Sequence, residues 1–418
     1  MRQERDWLFK SSKAKGAFWN SLGSTMYGAN SFVMLALVSQ IGNVEQTGDF
    51  GIAFTTAQIL YIVGLLGVSQ YQMTDYSKRY LFSDYANVRQ LSCALMIICC
   101  IIACGVMHFK SGKLAYTIGL TILMLLNVIA ELYQSLFFQN DRLDLSGSML
   151  FYRTFWSLLL FSGALLVTHN VLFAIMVQIL GNFAVTLYYI RLVAPGFISG
   201  QKAELAFVST RNLIWECLPL FVSTLLMSIM LNASKYGVEF LMDDRAQGFY
   251  NLIFIPAQII DLCSRFLFMP FLRQYEQLFS NHLQKEFIKM LGKQIAAILL
   301  FTSSCCIAAP SLGIWMLGIV YHKDISGLTV PLVFIIIGGG VFAICQLCYW
   351  ILTTLRQQRY ILIVYLSSVL VMPPVTAMLI KQWNLEGAAL SFVFAHIIIA
   401  GCYIYALHRV IRKENHHA

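Results

Sequence analysis

Four ionisable side chains lie inside long apolar runs of the sequence, at Glu131, Lys235, Asp261 and Arg265. A charge at hydrocarbon depth is costly, so such residues are candidates for binding or transport. Asp261 and Arg265 stand one helical turn apart in the acid-first order that favours pairing. At about 1.5 Å per residue, they lie about 20 Å and about 25 Å from the start of their run. There the arginine could bind phosphate oxygens bidentately, while the aspartate tunes it or carries a coupling cation.

Each of these charges also has a purely structural interpretation. Asp261 and Arg265 could form a self-neutralising pair that only makes the helix insertable. Lys235, near one end of its run, could extend its ammonium to the membrane surface. Glu131 could face a central cavity or hydrogen-bond to a neighbouring helix. The sequence leaves these alternatives open.

Other catalytic arrangements are not visible in the chain. It has no Ser/His/Asp set, no nucleotide-binding loop and no metal-ligand cluster, so we predict no cofactor and no enzymatic activity. All 11 cysteines fall inside apolar runs, where they are expected to pack as small apolar side chains.

The composition is that of a membrane protein. Of 418 residues, 58% are hydrophobic and only 12% are charged, and the mean hydropathy is +0.70. A soluble domain carries about twice that charge, and a helix crosses the hydrocarbon core in about 20 residues. The apolar runs divide into twelve predicted spans, near 15–40, 50–73, 91–109, 114–139, 149–168, 171–193, 213–235, 248–272, 294–318, 328–353, 360–380 and 387–408.

The distribution of Lys and Arg predicts the orientation. With the chain starting in the cytosol, 22 of these residues fall on the cytosolic face, including Arg89 and Arg153, and five fall on the opposite face, including Lys113. This bias places both termini in the cytosol. The net charge of +9 then reflects topology and anionic lipid headgroups, and it does not imply nucleic-acid binding.

Two segments repeat at a separation of 200 positions. Residues 48–59 and 248–259 share Gly, Phe, Ala, Gln and Ile in register, and each segment enters an apolar run after a short polar turn. With six spans in each half, the two copies are expected to be parallel. We therefore predict an all-α polytopic membrane protein of about 12 transmembrane helices, in two parallel-repeat six-helix lobes around a central cavity. The predicted domains are a lobe at 1–193, a cytosolic linker at 194–212 and a second lobe at 213–418.

Three short motifs resemble a known family. They are Asn232-Ala233-Ser234-Lys235-Tyr236-Gly237-Val238-Glu239 followed by Gly248-Phe249-Tyr250-Asn251-Leu252, the opening Lys15-Gly16-Ala17-Phe18-Trp19-Asn20, and Asn384-Leu385-Glu386-Gly387-Ala388-Ala389. The chain resembles bacterial polysaccharide flippases, the Wzx-type members of the multidrug/oligosaccharidyl-lipid/polysaccharide exporter superfamily. Lys235 matches the basic-Tyr position of that family, whereas Asp261 and Arg265 match none of its motifs.

The resemblance implies a flippase of the bacterial cytoplasmic (inner) membrane. It implies two six-helix lobes around a cationic cavity, which translocate oligosaccharide repeat units linked to undecaprenyl pyrophosphate for O-antigen, capsule or exopolysaccharide synthesis. The expected partners are this lipid-linked substrate, membrane lipid, a coupling cation (H⁺ or Na⁺) and the polysaccharide polymerase machinery. The alternatives are a cation-coupled multidrug exporter of the same superfamily and a polytopic enzyme such as a polymerase or acyltransferase.

Overall fold

The computed structural model describes residues 13–75, 79–109, 111–198, 207–355 and 357–417. These residues are almost entirely helical, and they contain no strand. A helix satisfies its backbone hydrogen bonds internally, which a segment surrounded by hydrocarbon requires. The predicted all-α fold class is confirmed.

The α-helices are numbered in chain order. They are α1 (Lys13–Ile41), α2 (Val44–Leu65), α3 (Val68–Thr74), α4 (Phe82–Met107), α5 (Ser111–Gln139), α6 (Leu143–Thr168), α7 (Val171–Tyr188), α8 (Pro195–Ile198), α9 (Phe207–Leu241), α10 (Asp244–Phe268), α11 (Leu272–Ser280), α12 (Gln284–Ala308), α13 (Ile314–Tyr321), α14 (Thr329–Thr354) and α15 (Gln358–His417).

The described helices provide the crossings that the sequence predicts. Ten segments are long and apolar enough to span a membrane. The last of them, within α15, is two helices joined at a break at Trp383 and Asn384, where Asn384 has a φ of 51°. The 29-residue helix α1 is less apolar and is not among the ten, but it has the length of a further crossing. The chain is a multi-pass membrane protein.

The chain separates into two compact units. The first unit comprises Met1–Asn43 and Asp49–Leu225, and the second comprises Val44–Gly48 and Leu226–Ala418. The lobes predicted at 1–193 and 213–418 remain a prediction, and residues 199–206 of the predicted linker lie outside the described residues.

In the first unit, α1 packs along α6, and α5 packs against α4, α6 and α7. Glycines allow α1 and α6 to approach closely. A Cβ built on Gly147 would lie 2.3 Å from the backbone nitrogen of Asn20, and one built on Gly23 would lie 2.6 Å from the carbonyl oxygen of Gly147. Small residues at such crossings let helix backbones approach closely. The resulting packing contacts hold the helices together in lipid, where the hydrophobic effect does not drive their association.

In the second unit, α14 is surrounded by three other helices. Its successive glycines face different neighbours: added Cβ atoms would lie 2.3 Å from Phe392 of α15, 2.7 Å from Ala257 of α10 and 2.3 Å from Thr302 of α12. Because consecutive helical residues point about 100° apart, the run Gly338-Gly339-Gly340 lets one helix contact three. Three of the four candidate charges, Lys235, Asp261 and Arg265, lie in this unit.

Candidate functional site

Asp261 and Arg265 form an ion pair on α10. Arg265 donates to Asp261 Oδ2 from Nη2 at 2.8 Å and from Nε at 3.1 Å. The arginine side chain is 38% exposed and the aspartate side chain 11%, so the pair is open on the arginine side. Asp261 Oδ1 is buried and has no hydrogen-bond partner among the described residues. The carboxylate therefore holds the arginine and retains one free oxygen, while the outer edge of the guanidinium stays accessible.

Lys235 lies in the interior of the second unit and does not extend to the surface. It is 7% exposed, and its Nζ lies 4.2 Å from the centroid of the Phe254 ring. Among the residues that the structure describes, no carboxylate pairs with this ammonium. A cation over an aromatic face is stabilised by the ring quadrupole, but one neutral ring leaves its positive charge uncompensated. The snorkelling alternative for Lys235 does not describe this structure.

Phe254 also connects Lys235 with the ion pair. Phe254 and Asp261 are seven residues apart on α10, which places them on the same helix face about 10 Å apart along its axis. Lys235, Asp261 and Arg265 thus lie along one side of α10 in the second unit. Whether they bind a substrate remains a prediction.

Glu131 belongs to the first unit and has different neighbours. It is half-buried on α5, two turns before the end of that helix. Arg89 of α4 and Arg153 of α6 both lie within electrostatic reach of its carboxyl. Two guanidiniums therefore lie within electrostatic reach of one carboxylate, so positive charge is in excess within this group of three.

The two arginines are fixed by hydrogen bonds to neutral groups. Arg89 donates from Nη1 to the carbonyl oxygens of Gly64 at 2.8 Å and Leu65 at 3.2 Å, and from Nη2 to Ser69 Oγ at 2.7 Å. Arg153 donates from Nη1 to the Asn127 carbonyl oxygen at 3.3 Å. Because the end carbonyls of a helix have no intrahelical partner, Gly64 and Leu65 at the end of α2 are ready acceptors for Arg89.

These positions correct part of the sequence analysis. Arg89 and Arg153 were assigned to the cytosolic face, but they are 2% and 1% exposed and lie inside α4 and α6. Lys113 was assigned to an outward loop, but it is in the first turn of α5, with Nζ 3.3 Å from Asp49 Oδ1. Hydropathy detects only the most apolar part of each helix, so Arg89 and Lys113 fall before their predicted spans at 91–109 and 114–139. Arg153 lies near the start of its predicted span at 149–168, and the helix α6 begins before that span. The remaining loop cations still favour the predicted orientation, which stays a prediction.

The first unit also resembles the second more than its sequence suggests. Tyr61 is the counterpart of Asp261 in the 200-residue register, and it lies in the field of Glu131, Arg153 and Arg89. Each unit therefore has charged groups near the equivalent position of the repeated helix, which is Asp261 in the second unit and Tyr61 in the first. In the second unit α10 supplies these groups, whereas in the first unit the neighbouring helices do.

A polar cavity lies beside the Glu131 cluster. Its volume is about 30 Å³, which is room for about two water molecules. Tyr27 and the amide side chains of Asn30, Gln178, Asn127 and Asn182 contribute to its lining. Asn182 Nδ2 donates to Asn127 Oδ1 at 2.9 Å, whereas Asn30 Oδ1 and Gln178 Oε1 are buried without a partner among the described residues.

The sequence analysis did not identify this cavity, although its amides fall within predicted spans. An Asn or Gln inside an apolar run must find a hydrogen-bond partner there. Asn127 and Glu131 are also one helical turn apart on α5, which could have linked them. Among the described residues, no group of three metal-ligating side chains is present.

Comparisons with known proteins identify only the fold. No protein-family model and no curated protein sequence matches the chain. A solved structure of a mutant of the MATE transporter VcmN from Vibrio cholerae is similar with a TM-score of 0.64 and 14% identity, over 96% of this chain and 97% of that one. An inward-facing multidrug resistance MATE family transporter of the MOP superfamily gives a TM-score of 0.71 and 11% identity, over 93% and 95% of the two chains.

A MOP superfamily transporter from Pyrococcus furiosus is a third similar structure. Its TM-score is 0.54 with 11% identity, over 96% of each chain, and it is described as having a binding pocket of reverse polarity that suggests a different function. At these identities the similarity shows a common fold along nearly the whole chain. That fold is the one adopted by MATE transporters.

Proposed function

We propose that this protein is a transporter that flips an anionic lipid-linked oligosaccharide, an undecaprenyl-pyrophosphate-linked repeat unit, across the bacterial cytoplasmic membrane. Translocation occurs by alternating access, the polar headgroup passing through the protein while the lipid tail stays in the bilayer. The MATE-like fold supports a transporter, because each of the three similar structures is that of a transporter.

One observation carries the choice of substrate: the positive charge of Lys235 is buried and is not balanced. Lys235 has no carboxylate partner among the described residues, and its neighbour is the ring of Phe254. An uncompensated cation at hydrocarbon depth is destabilising, so its retention indicates a use. A pyrophosphate would supply the missing negative charge.

Each candidate residue then has a role in binding. Lys235 attracts the pyrophosphate as a point charge, and Arg265 offers the accessible edge of its guanidinium to two phosphate oxygens. Asp261 orients Arg265 through the two hydrogen bonds to Oδ2. Glu131 offsets part of the positive charge of Arg89 and Arg153 in the first unit.

The proposal includes the cellular setting. Both termini lie in the cytosol, the exported repeat unit feeds the synthesis of surface polysaccharide, and the polymerase machinery receives it. Membrane lipid surrounds the protein, and a coupling cation, H⁺ or Na⁺, drives the cycle. The protein acts as a carrier and not as an enzyme.

A multidrug exporter is the second candidate, because one similar structure is that of a multidrug resistance transporter. A cationic drug needs carboxylates to balance its charge. The first unit places two guanidiniums around Glu131, and the second leaves Lys235 unpaired. These charges favour an anionic cargo.

The experiment uses bacteria in which the chromosomal copy is replaced by variants. We expect Arg265→Gln to block surface polysaccharide and to leave lipid-linked precursor on the inner leaflet, while Arg265→Lys, which keeps the positive charge, retains part of the export. Membrane levels of each variant are compared by immunoblot. Normal surface polysaccharide in Arg265→Gln and in Lys235→Met would rule out the assigned roles.

A further inference from the structure

Six aromatic rings form a continuous series of contacts along α1 and α6 in the first unit. The ring of Trp19 lies 5.8 Å from that of Phe151 and 5.5 Å from that of Tyr152, measured between centroids. Phe151 stacks on Phe155 at 5.6 Å with an interplanar angle of 15°. The rings of this aromatic strip are Phe18, Trp19, Phe151, Tyr152, Phe155 and Trp156.

The aromatic strip lies on an exposed face. Phe18 is 60% exposed, Tyr152 39% and Trp156 47%, and the other three rings are half-buried. Arg153 and Thr154, which stand between the rings of α6 in the sequence, are buried on the opposite side of the helix. Because the hydrophobic effect disfavours six clustered rings that face water, lipid chains cover this face.

Close packing fixes the two helices beneath the aromatic strip. A Cβ on Gly147 would lie 2.4 Å from the carbonyl carbon of Trp19, and one on Gly16 would lie 3.0 Å from Leu143 Cβ. Trp19 is therefore level with Gly147, and the two helices run in the same direction. From that level to Trp156, α6 rises about 14 Å. The strip is thus a long and narrow surface on a rigid support.

A positive charge stands at one end of the aromatic strip. Lys15 is exposed on α1, one helical turn before Trp19, and Trp156 is at the other end. Lys15 and the first two rings belong to the motif Lys15-Gly16-Ala17-Phe18-Trp19-Asn20, where the predicted span at 15–40 begins. A cation followed by about 14 Å of rings complements an amphiphile that has an anionic head and a long apolar tail.

The ring faces favour an isoprenoid tail over a saturated one. Each isoprene unit has a planar double bond that can lie flat on a ring, and these double bonds stiffen the chain, so less freedom is lost when it is immobilised. An aromatic belt is a different arrangement, in which Trp and Tyr mark the level of the membrane surface. The aromatic strip contains three phenylalanines, which have no polar tip, and it extends along the helices.

We propose that the aromatic strip and Lys15 form a docking site for a polyisoprenoid pyrophosphate in the membrane, with the tail on the rings and the phosphate at Lys15. This inference rests on the proposed function, and it assigns the lipid part of the substrate to a face of the first unit. An ordinary anionic phospholipid has a phosphate but flexible acyl chains, so it binds there less tightly.

The test is photolabelling of the purified full-length protein in detergent. The probe is a farnesyl pyrophosphate analogue with a benzophenone on its chain, and labelled residues are mapped by mass spectrometry. We expect labels at 18–19 and 151–156. Farnesyl pyrophosphate should compete for them well. Dodecyl pyrophosphate, a saturated chain of the same length, and phosphatidylglycerol should compete poorly.

Variants measure the contribution of the rings and of the charge. The affinity is taken from the concentration of farnesyl pyrophosphate that halves labelling of the aromatic strip. Tyr152→Leu/Trp156→Leu removes two ring faces but keeps apolar side chains, and it should lower this affinity on the order of tenfold. Lys15→Gln should also lower the affinity and should weaken its dependence on salt.

Two further variants serve as controls. Tyr152→Phe/Trp156→Phe keeps both rings without their polar tips, so it should bind as the wild type does. If the residues only anchor the protein in an aromatic belt, these two double variants should behave alike. Trp315→Leu removes a ring that is 62% exposed on α13, and it should leave labelling of the aromatic strip unchanged.

The outcomes separate the inference from the proposed function. Equal competition by phosphatidylglycerol and farnesyl pyrophosphate, or full affinity in Tyr152→Leu/Trp156→Leu, overturns the docking site. If the wild type still moves a lipid-linked glycan across liposomes, the proposed function stands without it. Selective labelling by a wild type that moves no glycan supports the docking site and contradicts the proposed function.

Discussion

Gly48 and Gly248 lie against each other's helices in a reciprocal contact within the second unit. A Cβ on Gly48 would lie 2.3 Å from the Asp244 carbonyl oxygen, and a Cβ on Gly248 would lie 2.1 Å from the Val44 carbonyl oxygen. Val44 and Asp244 are themselves 200 positions apart. Each glycine of the sequence repeat thus meets the carbonyl oxygen at the equivalent position of the other repeat segment.

This crossing predicts that neither glycine tolerates a methyl group. Gly48→Ala and Gly248→Ala should each lower the unfolding free energy by about 1–3 kcal/mol, because the backbone carbonyl opposite cannot yield as a side chain can. Thermal melting in detergent measures the effect. Gly163→Ala is the matched control, since a Cβ there meets nothing within 4 Å, and a melting temperature equal to that of Gly163→Ala would contradict the prediction.

Lys235→Met should separate stability from function. Methionine has a similar length and no charge, so the substitution removes the cost of burying an unpaired ammonium, and the melting temperature should rise or stay equal. Export of the lipid-linked sugar should be lost. Unchanged export would show that Lys235 only packs against Phe254.

Arg265→Ala and Asp261→Ala should differ in cost. Removing Arg265 leaves the more buried Asp261 without its counter-charge, which should destabilise by about 2–3 kcal/mol. Removing Asp261 leaves the more exposed member of the pair, an arginine whose side chain is 38% exposed, so the loss should be smaller. Denaturant unfolding of both variants and of the double variant gives the coupling, and purely additive losses would refute the pairing.

The hydrogen bond between the side-chain amides of Asn182 and Asn127, beside the polar cavity, should stabilise the first unit. Asn182→Ala leaves Asn127 Oδ1 without its donor, which should cost about 1–3 kcal/mol. Ser162→Ala on α6 is a control, since that hydroxyl only bonds back to the Leu158 carbonyl oxygen. If the two variants melt together, the Asn127–Asn182 bond does not stabilise the first unit.

The fold could be predicted from the sequence because the bilayer leaves few alternatives. Long apolar runs must be helices, and their number and spacing give the crossings. The ion pair of Asp261 and Arg265 could also be predicted, because the two residues share a helix and their spacing determines that they meet.

The cluster around Glu131 could not be found in this way. Arg89, Glu131 and Arg153 lie on three helices, so only packing brings them together. Arg89 precedes its predicted span at 91–109 and Arg153 stands near the start of its span at 149–168, so both were assigned to the cytosolic face. Lys235 was ambiguous for a similar reason, since its burial depends on the position of Phe254 on another helix.

The central claim is that this protein moves a pyrophosphate-linked glycan across a membrane, and reconstitution tests it most directly. Purified protein is placed in liposomes whose inner leaflet carries an undecaprenyl-pyrophosphate-linked oligosaccharide, and its appearance outside is followed with a membrane-impermeant glycosidase. We expect the wild type to expose the glycan far faster than protein-free liposomes or liposomes with Lys235→Met. Equal exposure in all three, together with uptake of a cationic dye by the wild type alone, would contradict the account.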